Sequence, residues 1–148
     1  MATQISNPTM QLSSDSSNTV PSKSALWAAR IIGALAVLFI LMDGVMKLFA
    51  PPPVVEATTA LGWPEHLILT LGILELVCLA LYLFPATSVL GAIVMTGYLS
   101  GAVATHLRIS SPLFSVVFPV LLALMLWGAL YLSDARVRAL IPLRGRTA

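Results

Sequence analysis

Asp43, Lys47 and Glu75 are the residues whose types and spacing point most directly to chemistry. An acid and an amine four positions apart share one face of a helix, where they can pair along it. Glu75 stands alone in an apolar run, and a carboxyl placed there serves as a proton acceptor or a hydrogen-bond donor. A purely structural bond between two helices is the alternative role for it. His106 and Arg108 close the uncharged stretch Leu76–Thr105 and add an imidazole and a guanidinium. Asp43, Lys47, Glu75, His106 and Arg108 are therefore the candidate site: groups able to hold a small polar molecule and exchange a proton.

Other chemistries lack their residues. His66 and His106 have no second pair to ligate haem, and no Glu-x-x-His pattern repeats, so no metal is expected. Cys78 is the single cysteine, which excludes an internal disulfide and a Cys-x-x-Cys site. It reads as a small apolar packing residue. No nucleophile triad, P-loop or dinucleotide fingerprint is visible, so a stand-alone enzyme is not expected.

The elements that must position these groups follow from composition. Of 148 residues, 58% are hydrophobic and 9% are charged, and the mean hydropathy is +0.95. Soluble domains carry roughly a quarter charged residues, and one of this size leaves about a third of its surface in water. The solvent must be lipid. The pI near 9.0 rests on dispersed cations without an aromatic-interleaved stripe, so nucleic acid is not an expected partner.

Gaps between charges draw the spans. Ile31–Met42, Leu76–Thr105 and Ile109–Ser133 carry no formal charge, and Pro85 divides the second gap. A helix needs about 20 residues to cross ~30 Å of hydrocarbon. The economical parse is an all-α, four-transmembrane-helix bundle with spans over 25–49, 66–84, 87–106 and 112–132. Pro64 and Pro112 suit first helical positions, with Ser111 as a cap, and Pro119 predicts a kink. Between the first two spans, Val54, Ala57 and Leu61 recur at helical spacing and Gly62 fits the position after a helix end. That predicts a short interfacial helix, anchored by Trp63.

Residues 1–24 are rich in Ser, Thr, Asn and Gln without an apolar period, and are expected to be disordered. They show no basic region leading into a short apolar core, so the first span is expected to remain as an uncleaved anchor. The membrane domain then covers 25–142, followed by a basic tail, 143–148. Lys23, Arg30, Arg136, Arg138, Arg144 and Arg146 flank one membrane side, against Lys47 and Arg108 on the other. The positive-inside rule places both termini in the cytoplasm of a bacterial-type inner membrane.

On this topology Asp43 lies ~9 Å and Glu75 ~13 Å below the outer surface, at 1.5 Å per helical residue. A charge near the bilayer centre costs about 2.5–3.5 kcal/mol on the lenient insertion scale, so each acid must face the bundle and find Lys47 or Arg108. In the first span, Ala25, Ala29, Gly33, Ala36, Ile40, Asp43, Gly44 and Lys47 recur on one face, where small residues admit a neighbouring helix. Spans one to three are thus expected to enclose an outward-opening polar pocket. His106 and Arg108 point in different directions on one helix, so both cannot enter it without unwinding. Gly97 and Gly101 form a further small-residue face, suited to a homo-oligomer.

Gly44-Val45-Met46-Lys47-Leu48, Leu61-Gly62-Trp63-Pro64, Glu75-Leu76, Pro85 and His106-Leu107-Arg108, in this order and spacing, resemble the DoxX-like family of small four-helix membrane proteins. The similarity runs over roughly residues 26–142. The family takes its name from a membrane subunit of a thiosulfate:quinone oxidoreductase, and other members are linked to membrane redox or thiol stress. The resemblance implies the four-span fold and, more loosely, a redox-associated role: a membrane subunit or small-molecule module, with a quinone as the implied ligand, supporting an oxidoreductase partner. The single Cys78 leaves no dithiol for this chain acting alone. A small proton-coupled transporter and a non-catalytic scaffold or assembly factor are the competing functions, since one needs only a membrane-embedded acid and the other only packing faces.

Overall fold

A computed structural model describes residues 23–140. Most of the segment 1–24 and the tail 143–148 lie outside the described residues, while Lys23 and Ser24 open the first helix. The helices are α1 (Lys23–Phe49), α2 (Pro52–Ala60), α3 (Ile68–Leu83), α4 (Ser88–Arg108), α5 (Leu113–Ser133) and α6 (Ala135–Leu140), with a 3₁₀ turn, Glu65–Leu67, leading into α3. Four of them, α1, α3 with its 3₁₀ turn, α4 and α5, are long and apolar enough to cross a membrane. The short α2 lies between the first two, so the expected all-α four-span architecture is the observed one.

Packing follows residue size. α1 packs against α3 and α5, and α4 closes the ring by packing against the same two helices. On α1 the buried positions are Ala29, Gly33, Ala36, Ile40 and Gly44, the small face seen in the sequence. A Cβ at Gly33 would stand 2.8 Å from that of Ala129, so α1 and α5 touch near the end where the described chain begins and finishes. At the other end a Cβ on Gly72 would stand 2.8 Å from Lys47 Cβ and 3.0 Å from the Gly44 carbonyl oxygen. The core between the four helices contains Ala36, Ile40, Cys78, Leu79, Met95, Leu99, Leu122 and Leu126. Large apolar side chains such as Trp27, Leu38, Val77, Ile93, Phe114 and Leu124 point outwards. In water that surface would be unfavourable; in lipid it is solvated.

Polar bonds join the helices inside this apolar frame. Trp127 Nε1 donates to Thr96 Oγ1 at 2.9 Å, and the Tyr82 hydroxyl donates to the Leu126 carbonyl at 3.0 Å. The α3–α4 turn at Pro85 is tight, with the Thr87 hydroxyl donating back to the Leu81 carbonyl at 2.8 Å.

The helix ends differ from expectation by a few residues. Gly62 follows the Leu61 cap of α2 with a φ of +83° that favours glycine, and the Gly62 and Trp63 amides donate to the Thr59 and Thr58 carbonyls at 2.8 and 3.3 Å. Pro64 precedes a 3₁₀ turn instead of opening α3, and Pro112 is the cap of α5, with Leu113 the first helical residue. α5 runs on as helix through Pro119. α4 continues to Arg108, beyond the expected end at 106. The segment after the fourth span forms α6. Asp134 Oδ1 accepts the Arg136 amide at 2.8 Å, capping α6. Arg138 in turn donates to the Tyr131 and Leu132 carbonyls at 3.2 and 3.0 Å, at the end of α5.

Candidate functional site

Lys47 projects from the last turn of α1 onto α3, and the close approach at Gly44 and Gly72 sets that distance. Its ammonium donates to Glu75 Oε2 at 2.8 Å and also to Asp43 Oδ2, one helical turn back. Glu75 is 2% exposed, the deepest acid among the described residues. Its Oε2 also accepts the Tyr98 hydroxyl, from α4, at 3.0 Å. Three helices thus converge on one carboxylate oxygen. Asp43, with its side chain 45% exposed, carries the cluster from the bundle interior to its surface.

The arrangement satisfies the energetic demand stated above. Buried charges are tolerated when they are paired and hydrogen-bonded, and the described residues contain no buried side-chain nitrogen or oxygen without a hydrogen-bond partner. The chemistry of the cluster is that of an ammonium and a phenol donating towards a carboxylate, with a second carboxylate at the rim.

Of the five candidate residues, three meet: Asp43, Lys47 and Glu75. His106 and Arg108 lie elsewhere. His106 Nδ1 stands 3.0 Å from the Ser111 Oγ, closing the α4–α5 turn. Arg108 Nη2 donates to the Leu61 carbonyl at 2.7 Å, tying α4 to the end of α2. Helix α4 stays wound to Arg108, so two residues about 200° apart cannot turn towards one point. Tyr98, absent from the candidate set, replaces them as the contribution of α4. Its signal in the sequence was depth: it lies ten residues before Arg108, hence ~15 Å into the span, near the level of Glu75.

An open pocket among the spans was expected; two open depressions lie at the surface, and of the five candidate residues only Arg108 lines one of them. One, of about 370 Å³, lies between Gly62, Trp63, Pro64, Leu67, Ala104, Thr105 and Arg108. The other, of about 600 Å³, is lined by Ala50, Glu65, His66, Ile68 and Leu69. In the acid–amine–phenol cluster the donors and acceptors are bonded to one another.

Comparison with known proteins gives one family. The model described as the DoxX-like family matches residues 31–129. Searches of curated proteins and of solved structures returned no match. The matched region begins within α1 and ends within α5, enclosing Asp43, Lys47, Glu75 and Tyr98, and on this the chain belongs to the DoxX-like family.

Proposed function

We propose that this DoxX-like membrane protein is a small-molecule-binding subunit of a membrane redox system, and that Asp43, Lys47, Glu75 and Tyr98 receive the ligand, a quinone headgroup. The observation that supports this reading is the convergence of Lys47 and Tyr98 on Glu75 Oε2. A quinone carbonyl is a hydrogen-bond acceptor of the same kind as that oxygen, and it can take the bonds that the ammonium and the phenol now make. Glu75 is then the acceptor of the proton that the quinol form releases when the partner oxidises it, and half-exposed Asp43 links it to the bundle surface. Electron transfer belongs to the oxidoreductase partner. The protein sits in an inner membrane with both termini cytoplasmic, and a second copy packs on the Gly97–Gly101 face, which is open in the single chain.

Native purification in mild detergent, followed by identification of co-purifying quinones and proteins, tests the proposal. A quinone and an oxidoreductase subunit should accompany the wild-type chain, and Glu75→Gln should retain the fold while losing the quinone. Proton-dependent solute flux in proteoliposomes without bound quinone would replace this reading with a transporter. Neither ligand nor flux would leave a scaffold.

A further inference from the structure

Arg108 and the cavity beside it lie outside the cluster just described. The cavity of about 370 Å³ has two kinds of wall. Trp63, Pro64 and Leu67 from the α2–α3 connection and Ala104 from α4 are apolar, whereas Arg108 adds a guanidinium to the lining. Arg108 uses one N–H on the Leu61 carbonyl, and that bond fixes the guanidinium across the end of α2. A guanidinium has five N–H donors. Both salt bridges of the described residues belong to Lys47, so Arg108 has no carboxylate partner among them. Gly62 is part of the same device: a Cβ there would stand 2.6 Å from Arg108 Nη2, so glycine leaves room for the guanidinium to lie against the backbone.

The depth of these groups decides what can occupy the cavity. Arg108 ends a membrane-spanning helix, and Trp63 belongs to the connection outside the spans, so both sit at headgroup level. At that level the abundant anion is a phosphodiester that carries acyl chains. It is left without a cation of its own only where the headgroup is anionic, as in phosphatidylglycerol, whereas the choline of phosphatidylcholine already neutralises it. Arginine matches phosphate oxygens in a bidentate fork, and the apolar walls match glycerol and the first methylenes. A free inorganic anion would meet those same walls with no second cation.

We infer that the groove between the α2–α3 connection and the end of α4 binds the headgroup of an anionic phospholipid, with its phosphodiester on Arg108 and its glycerol region against Trp63, Leu67 and Ala104. The lipid would brace the connection against α4 at a point where Arg108–Leu61 is the direct polar tie seen.

The test uses the full chain in detergent, with dioleoyl phosphatidylglycerol and dioleoyl phosphatidylcholine at equal concentration, read by native mass spectrometry. One phosphatidylglycerol should be retained per chain in preference to phosphatidylcholine by about tenfold, the ratio that 1.4 kcal/mol supplies. Arg108→Gln should abolish the preference. Ala104→Leu, which fills the groove and leaves the Arg108–Leu61 bond in place, should lower retention of the lipid as well, so the test stands even if Arg108→Gln fails to fold. Arg136→Gln, on α6, should change nothing. Equal retention of the two lipids, or unchanged retention in Ala104→Leu, would overturn the inference. So would displacement of the lipid by millimolar inorganic phosphate, which would make the site one for free anions.

Discussion

Glu75 accepts from an ammonium and from a phenol at one oxygen, so its replacements should separate charge from shape. Glu75→Leu removes the acceptor and leaves Lys47, with its side chain 13% exposed, dependent on Asp43 alone. Removing one partner of a buried pair typically costs about 3 kcal/mol or more. Glu75→Gln keeps a carbonyl oxygen for both donors and should cost about 1 kcal/mol, as should Tyr98→Phe, which deletes one bond without orphaning the carboxylate. Thermal or denaturant unfolding of the detergent-solubilised protein reads the order; equal losses for Gln and Leu would mean that shape alone matters there. At this scale the sequence disclosed the acids because a charge in an apolar run demands a partner. It disclosed Lys47 because four residues is one helical turn. Tyr98 stayed hidden because a phenol costs little in a span and breaks no pattern. His106 and Arg108 share the cluster's side of the membrane at the end of span three, but a continuing helix sends them to different neighbours.

Close approach between helices is where single methyl groups matter most. The α3–α4 hairpin turns so tightly at Pro85 that a Cβ on Gly91 would overlap the backbone of Tyr82. No rotamer change relieves a clash with backbone, so Gly91→Ala should open the hairpin and sharply reduce the yield of folded, monodisperse protein. Gly128, on α5, meets nothing within 4 Å, and Gly128→Ala should stay within about 0.5 kcal/mol of wild type. Size-exclusion profiles and helix content on heating compare the two; equal tolerance would show that the hairpin adjusts its register instead. The long helices were legible because charge gaps and prolines bound them, and α2 because Gly62 marks its end. The α6 helix was not, since six residues hold less than two turns of pattern. Its stability comes from Asp134 at its start and from Val137, 1% exposed, packed against the bundle.

For the molecule as a whole, composition alone established lipid as the solvent, and the number of spans followed from the lengths of the uncharged gaps. Which way the bundle faces is a separate matter, because packing is blind to the membrane potential and to the insertion machinery. The geometry supplies one part of the answer: the contact of Gly33 with Ala129 puts the start of α1 and the end of α5 at the same end of the bundle. Charge supplies the other. Lys23, Arg30, Arg136 and Arg138 gather at that end, with Arg144 and Arg146 following in sequence, while Lys47 and Arg108 alone mark the opposite one. Cations near span ends are retained on the cytoplasmic side. Cysteine labelling tests this directly, since Cys78 is buried and Cys78→Ala should give a silent background. In that background Thr59→Cys, on the exposed face of α2, should react in intact cells with a maleimide that cannot cross the membrane. Arg136→Cys, on α6, should react only after lysis. Labelling of position 136 in intact cells, with position 59 protected, would invert the bundle and place the half-exposed Asp43 on the cytoplasmic side.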